Sequence, residues 1–353
     1  MIITYFIGNG FDKALELQTG YRDFYESIKD IDFLENIEFI TMSQNTQEII
    51  KDIYLEIEKE NKENWSDFEL GLINYLNRQN KDFDVDNFIE AISFFSYLLN
   101  DYLNLEYVKF KEKRQLLDTD KLRDQILCPF EECEALIKQG YYNILRNNTD
   151  LLINFLTFNY TFTLEDIFGG DIIFPYAKYI GNQRVKFLSP IHLHGTLKNN
   201  MLIGIDNISQ ISNEEIRNKF MGKEHYIEKP SMNKFLSNAV LQHSDNCLNN
   251  SQIVVIFGSS IGVTDNIWWE KIGKWYSKDK NRKIILFHYL NKKISRSNFV
   301  KSTSIKEKIG NDLLKKMKID SSFISESERI SIIINTEYFL KNIINDVKEE
   351  VKK

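Results

Sequence analysis

The 353-residue chain contains few of the residues that build disulfide-bonded, zinc-binding or membrane proteins. Its three cysteines form no paired CxxC motif, so we expect neither a disulfide framework nor a structural zinc site. No apolar run approaches the ~20 residues that a membrane-spanning helix needs. The N-terminus has no charged region followed by a long apolar stretch, so we expect no signal peptide. These absences predict a cytoplasmic protein without membrane contact.

An excess of positive charge is also missing. The net charge of −6 and the isoelectric point of about 5.6 give no reason to expect nonspecific binding of nucleic acid. The 42% hydrophobic and 27% charged residues are typical of a soluble globular protein. Because the length exceeds the roughly 250–300 residues at which one core stops growing, we expect one domain with a large insertion, or two domains.

Proline is scarce, with four residues in the chain and none before Pro129. Between about residues 30 and 150, apolar side chains recur at intervals of three and four, as in QEIIKDIYLEIEKE and NFIEAISFFSYLL. This period is typical of amphipathic helices. We therefore predict a helical insertion over residues 30–150, placed after the first strand and its helix.

Short apolar runs alternate with helical patterns in the rest of the chain. The predicted strands are 2–7, 151–156, 188–192, 201–205, 252–257, 283–288 and 330–335. Fully apolar strands that alternate with helices indicate a mostly parallel sheet covered on both faces. We predict an α/β, Rossmann-like domain made of residues 1–29 and 151–353.

Clusters of small and polar residues follow four of these strands. They are GNGFD (Gly8 to Asp12), TFNYT (Thr157 to Thr161), HLHGT (His192 to Thr196) and GSSIGVTD (Gly258 to Asp265). In an open α/β sheet the carboxyl ends of the strands share one edge, and ligands bind in the crevice there. We therefore expect the four clusters to form one pocket. Its glycines could admit phosphates, and its Asn, Asp, His and Ser side chains could bind a ribose.

Each cluster also has a purely structural explanation. Asp12 could cap the helix that follows GNGFD, and Thr264 or Asp265 could cap the helix after GSSIGVTD. Asn159 could bond to its own backbone in a turn. The two glycines of GNGFD permit a tight turn and an anion at a helix N-terminus. The full GxGxxG motif is absent, because position 13 is lysine.

The HLHG segment carries two of the five histidines in the chain. In an extended segment His192 and His194 point to opposite faces, so they would not ligate one metal ion together. No carboxylate lies at a familiar ligand spacing, and we predict no metal site. His194, next to Gly195 at the strand end, is the candidate general base, and His192 is the second choice.

The ordered set of motifs resembles a known family. GNGFD, WSDFE (Trp65 to Glu69), FNYT, HLHG, LIGID and IFGSSIGVTD resemble segments of the AbiH family of bacterial abortive-infection proteins, from residue 3 to about residue 270. The resemblance implies a role in phage defence, with an unknown phage trigger. We also allow for assembly into a homo-oligomer.

The same series is similar, more remotely, to the sirtuin-type NAD-binding fold. The corresponding segments are Gly8-Asn9-Gly10, Thr157-Phe158-Asn159, His194-Gly195 and Gly258-Ser259-Ser260. This resemblance implies a Rossmann-like sheet, an NAD ligand and cleavage of the nicotinamide–ribose bond. The four-cysteine zinc module of sirtuins is absent, so a peptide deacylase is not expected.

The leading hypothesis is therefore an NAD glycohydrolase. His194 would accept a proton, and Asn159 would hold a ribose hydroxyl or the attacking water. The expected nucleotide-binding residues are Gly8, Asn9, Gly10, Asp12, Thr157, Gly258, Ser259, Ser260 and Asp265. Glu69 and Asp206 are further candidates that would cap the pocket.

Two other function classes stay open. A non-enzymatic nucleotide sensor would need the glycine turns but not the chemistry of His194, and it would signal to a partner through the helical insertion. A nucleic-acid-directed effector, such as a nuclease, would need a basic surface or a cluster of metal-binding carboxylates. The acidic charge and the lack of such a cluster in the sequence argue against it.

Overall fold

The central strands of the sheet are buried on both sides. In β1 (Ile2–Ile7), Ile3, Tyr5 and Ile7 pack into one hydrophobic cluster, whereas Phe6 packs into another. β6 (Ile253–Phe257) alternates in the same way, because successive side chains of a strand point to opposite faces.

The computed structural model describes residues 1–29, 35–59, 65–168, 176–180, 183–236, 239–262, 265–291 and 299–340.

The described residues form a mostly parallel α/β sheet. The other strands are β2 (Asp150–Thr157), β3 (Tyr176–Ile180), β4 (Gln183–Phe187), β5 (Ile191–His192), β7 (Lys283–His288) and β8 (Ile330–Ile334). Their order is β3-β4-β2-β1-β6-β7-β8, and β5 pairs with the end of β2. Among these strands only β3 and β4 pair in antiparallel fashion. The predicted α/β class is confirmed.

Helices make up most of the described chain between β1 and β2. They are α1 (Gly10–Ala14), α2 (Tyr21–Ile28), α3 (Ile37–Thr41), α4 (Gln44–Lys59), α5 (Trp65–Asn77), α6 (Val85–Lys113), α7 (Thr119–Leu127) and α8 (Ala135–Arg146). They share one hydrophobic cluster with a face of the sheet. The hydroxyl of Tyr5, on the central strand, donates to the carbonyl of Ile126 at 2.5 Å. The division into domains at residues 30 and 150 stays a prediction.

The remaining helices follow β2. They are α9 (Thr163–Phe168), α10 (Glu214–Lys219), α11 (Lys229–Leu236), α12 (Ala239–Asn250), α13 (Asn266–Ser277), α14 (Phe299–Lys316) and α15 (Phe323–Glu326). No helix in the described part of the chain has the length and apolar character needed to cross a membrane. The last segment of the sequence, EYFLKNIINDVKEEVKK, also has a helical pattern, but it falls largely on residues 341–353, which lie outside the described residues.

The observed strands differ from the predicted strands in two places. The predicted strand at 201–205 is wrong, because this segment forms only a single bridge between Ile205 and Glu228. Its backbone instead wraps around the site, where Leu202 donates to the carbonyl of His194 at 2.8 Å. β3 and β4, an antiparallel pair at the edge of the sheet, were not predicted, because lysine, glutamine and arginine interrupt the apolar residues of these segments.

Candidate functional site

The four strand-end clusters meet at one edge of the sheet and surround a cavity of about 1260 Å³. β1 has β2 on one side and β6 on the other, so the chain order reverses at this point. Such a switch point is where open α/β sheets bind ligands. The predicted residues that line the cavity are Gly8, Asn9, Gly10, Asp12, Glu69, Asn159, His194, Gly258, Ser259, Ser260 and Asp265. Thr157, His192 and Asp206 do not line it.

The GNG and GSS turns pack directly against each other. The amide of Gly8 donates to the carbonyl of Phe257, and that of Gly10 donates to the carbonyl of Gly258, both at 2.8 Å. A Cβ atom on Gly10 would lie 2.5 Å from the Cα atom of Gly258, which itself has a φ of +70°. These glycines therefore serve close packing, and the two amide hydrogens are already bonded within the protein. Contact of the glycines with a nucleotide stays a prediction.

Asp12 is not the N-cap that the sequence suggested. Asn9 occupies the cap position of α1, and Asp12 lies within the first turn, 1% exposed. Its two carboxylate oxygens accept hydrogen bonds from the hydroxyls of Thr161 and Thr163, each at 2.6 Å. Burial raises the pKa of Asp12 to about 6, although these hydrogen bonds lower it. The carboxylate thus joins two strand-end turns at the cavity wall.

Asn159 does not satisfy its own backbone either. Its side chain is buried, and within the described residues neither atom of its amide has a hydrogen-bond partner. The amide lies near enough to Asp12 to lower the pKa of that carboxyl, yet it does not reach hydrogen-bonding geometry. A buried amide left unpaired costs free energy. Because Asn159 lines the cavity, a ligand in the cavity could satisfy it.

His192 supports the Asn159 turn from behind. Its Nδ1 atom lies 2.7 Å from the carbonyl oxygen of Asn159, and its Nε2 atom lies 2.8 Å from Oε1 of Glu165. Both partners carry acceptor oxygens, an arrangement that favours the protonated ring, in which both nitrogens donate. Burial alone would lower the pKa of His192, but Glu165 and the carbonyl raise it overall. Thr157 acts in the same turn, where its hydroxyl accepts from the amide of Asn159 at 3.1 Å.

His194 points the other way and lines the cavity. Its Nε2 atom lies 3.1 Å from Oδ1 of Asp265. Burial by itself would raise the pKa of Asp265, but Lys229 and His194 lower it below its usual range. The ionised carboxylate can only accept, so Nε2 carries the proton and Nδ1 carries a lone pair. Burial and the Lys229 ammonium lower the pKa of His194, which keeps the ring neutral near pH 7.

Asp265 occupies the N-cap position of α13, but its side chain makes no cap hydrogen bond. Asp206 performs this task instead, because its Oδ2 atom accepts from the amide of Ile267 at 3.0 Å. Asp206 therefore has a structural role in the structure, and its contact with a ligand stays a prediction. The alternative cap, Thr264, lies outside the described residues.

The two serines of the GSS turn differ in their contacts. The hydroxyl of Ser259 accepts from the amide of Ile261 at 3.2 Å and so supports the turn, in which Ile261 has a φ of +53°. Ser260 is exposed at the cavity.

The cavity continues along the carboxyl ends of β7 and β8, where no site residues were predicted from the sequence. This far end is lined by Phe257, Phe287, His288, Tyr289, Asn335 and Phe339.

Sequence reasoning also missed Lys229. Its ammonium lies 2.7 Å from Oε1 of Glu69 and 3.2 Å from Oδ1 of Asp265. The buried side chain lines the same cavity. Lysine is almost never fully buried unless it is paired, so nothing local in the sequence indicates this position.

Comparison with known families supports the relationship that the motifs suggested. The family model described as "Bacteriophage abortive infection AbiH" matches residues 4–289. The chain belongs to the AbiH family. The match includes every cavity residue named above except Asn335 and Phe339. AbiH membership implies a role in abortive infection by bacteriophage. A comparison with curated proteins gives no match, and the likeness to sirtuins stays a prediction.

Proposed function

We propose that this AbiH protein is an antiphage effector that hydrolyses NAD⁺ to nicotinamide and ADP-ribose. One observation carries the proposal: the unpaired amide of Asn159 and the His194–Asp265 pair line the same cavity. The ring of Phe158, next to Asn159 in the chain, has its centroid 5.3 Å from that of His194. The residue next to Asn159 therefore contacts His194, and Asn159 and His194 both line the cavity.

The reaction needs these two functions and no metal ion. The bond between C1′ of the ribose and N1 of nicotinamide breaks, and its electron pair leaves with neutral nicotinamide. Water forms the new bond to C1′ and gives one proton to Nδ1 of His194, which later releases it to solvent. Asp265 would stabilise the imidazolium that forms, as a carboxylate does behind a catalytic histidine. Asn159 would hold a ribose hydroxyl or the attacking water.

The cavity is large enough for a dinucleotide. Its volume of about 1260 Å³ exceeds the range of about 300–1,000 Å³ that is usual for drug-sized ligands. The lining carries the charged or polar side chains of His194, Asp265 and Lys229 in one part and the rings of Phe287 and Tyr289, at the end of β7, in another. A dinucleotide could place its ribose–nicotinamide bond in the first part and its adenine among the aromatic residues in the second. Ser259 and Ser260, in the turn after β6, would contact the adenosine side.

The direct test has two steps. Small molecules retained by the purified protein are identified by mass spectrometry, and the protein is then incubated with NAD⁺ while free nicotinamide is measured by chromatography. We expect a bound adenine nucleotide and the release of nicotinamide. Retention of a nucleotide without cleavage, also in phage-infected extract, would favour the sensor function. If the protein neither binds nor cleaves NAD⁺, the proposal is wrong.

A test in cells addresses control of the activity. An effector that depletes NAD⁺ would kill its host if it were always active, so we expect the resting protein to be restrained until a phage trigger or subunit assembly releases it. Cellular NAD⁺ and growth are followed in a host that expresses the protein, before and after infection. NAD⁺ loss only after infection is expected. Full toxicity of a monomeric protein without phage would contradict the restraint.

A further inference from the structure

The Lys229 ammonium connects the helical region to the His194–Asp265 pair. Lys229 is the first residue of α11, and its side chain is 4% exposed. It contacts Glu69, which lies on α5, and Asp265, which precedes α13. The same Oδ1 atom of Asp265 lies 3.2 Å from the ammonium and 3.1 Å from Nε2 of His194. One carboxylate oxygen is thus shared by two donors.

The backbone fixes the position from which Lys229 reaches these partners. Its amide donates to the carbonyl of Ile205 at 2.9 Å, and the amide of Ile205 donates to the carbonyl of Ile227 at 2.8 Å. Gly204 packs so closely that a Cβ atom there would lie 2.0 Å from the carbonyl oxygen of Ile227. The LIGID segment, predicted as a strand, therefore serves as the support for Lys229.

The charges explain why the lysine belongs in this place. Burial of an ammonium is costly unless it is paired, and here two carboxylates face it. Burial opposes the charge of Lys229, but Asp265 and Glu69 raise its pKa overall, so it stays charged. With the ammonium present, Asp265 remains ionised and can only accept from His194. Without it, the buried carboxylates of Glu69 and Asp265 would lose the cation that both of them contact.

We infer that Lys229 is a positioning residue that holds Asp265 as the acceptor for Nε2 of His194 and anchors this pair to Glu69 of α5. The effect of Lys229 on catalysis rests on the proposed function. The effect of Lys229 on the pKa of His194 can be tested whether or not the protein cleaves NAD⁺. Lys229 acts through Asp265, and its removal should change the protonation of His194 rather than the binding of NAD⁺.

The expected direction follows from the sign of the charge. The ammonium disfavours a second positive charge on His194, so its loss should raise the pKa of His194. Other groups also act on this network and must be considered in any pH profile. They are Glu69 on α5, Tyr160 in the FNYT turn, Asp206 in the LIGID segment, Glu270 on α13 and Lys316 on α14.

The first measurement is a histidine titration followed by NMR. The full-length protein carries isotope-labelled histidine, and the His194 signal is assigned with His194→Gln. In Lys229→Met, which keeps the length of the side chain but removes its charge, the His194 titration should move to higher pH. Lys274→Met, at an exposed position on α13, is the matched control and should leave the titration unchanged.

The second measurement is the pH profile of kcat/KM for NAD⁺ cleavage. We expect Lys229→Met to lose activity near pH 7 and to recover it at higher pH, because the acidic limb follows the pKa of the base. KM should change less than kcat. If Lys229 had only a structural role, its loss would lower kcat/KM by the same factor at every pH, and the midpoint of the acidic limb of the pH profile would not move. Burial raises the pKa of Asp206 to about 6, so this group also titrates in the acidic part of the profile. The Asp206→Asn variant removes that titration and leaves the titration of His194.

Each outcome decides the inference. If Lys229→Met does not fold, the Glu69→Gln/Lys229→Met variant also removes the negative charge of one of the two carboxylates that face Lys229, and this variant is titrated in its place. An unshifted His194 titration in a folded variant would overturn the inference while leaving NAD⁺ hydrolysis untouched. A wild-type protein that does not cleave NAD⁺ would refute the proposed function, and the NMR titration would still decide the role of Lys229.

Discussion

Gly10 and Gly258 are in backbone contact, although they belong to turns at the ends of different strands. A Cβ atom on Gly10 would lie 2.5 Å from the Cα atom of Gly258 and 3.0 Å from its carbonyl oxygen. The amide of Gly10 also donates to that oxygen at 2.8 Å. The contact between these two turns forms the floor of the cavity and fixes β1 beside β6 at its carboxyl end.

Gly10→Ala should destabilise the fold because backbone atoms cannot move away as a flexible side chain can. We expect a loss of at least ~1–3 kcal/mol in the free energy of unfolding, as for other overpacked sites. Urea unfolding measures it. Gly140→Ala on α8 is the matched control, since no atom lies within 4 Å of its Cβ position. That control should gain about 0.5–1 kcal/mol. Equal stability of the two variants would contradict the interlocked turns.

His194→Ala should separate binding from catalysis. The cavity and the Asn159 turn remain, so nucleotide affinity should change little, whereas turnover should fall by ~10²–10⁴-fold with the loss of a general base. Nicotinamide release and calorimetric binding give the two quantities. His288→Ala is a suitable comparison, because His288 lines the far end of the cavity. If His194→Ala turns over NAD⁺ normally while His192→Ala does not, the choice of histidine is wrong.

Asp12→Asn should change the pH dependence of stability. Burial raises the pKa of Asp12 from 3.8 to about 6, so the folded state holds this proton more tightly than the unfolded state. Between these values the contribution of Asp12 to stability falls as the pH rises. The stability of Asp12→Asn relative to wild type should therefore increase from pH 4 to pH 8, by roughly 2 kcal/mol. Urea unfolding at both pH values tests this, and a pH-independent difference would contradict it.

Glu165→Gln should weaken the support of the Asn159 turn at low pH. The pKa of His192 is raised in the folded protein. Its stabilising contribution is therefore complete below 6.5, the ordinary value, and is lost as the pH rises through the folded-state pKa. The variant should lose more thermal stability at pH 6 than at pH 9. Glu112→Gln, at an exposed position on α6, controls for the loss of a surface charge. A loss of equal size at both pH values would show that His192 is not protonated.

The local patterns of the sequence determined the class of the fold and the place of the site. Apolar runs such as IITYFI and QIVVIF predict buried parallel strands, and both are central in the sheet. The polar residues after these strands predict a pocket at one edge, because strand direction alone places their ends together. The alternation of side chains in HLH also predicts that His192 and His194 face opposite ways. All of these features depend on chain segments of a few residues.

Only the tertiary structure decided which side chains meet across segments. His194 faces the cavity because β5 pairs with β2 in a register that turns His192 toward Glu165. Asp12 bonds two threonines rather than capping its helix, and Asp206 takes over the cap that Asp265 leaves free. Lys229 is buried because two carboxylates from distant segments neutralise it. The free energy of a buried polar group depends on its partners, and the strand order and the packing of the helices bring those partners together.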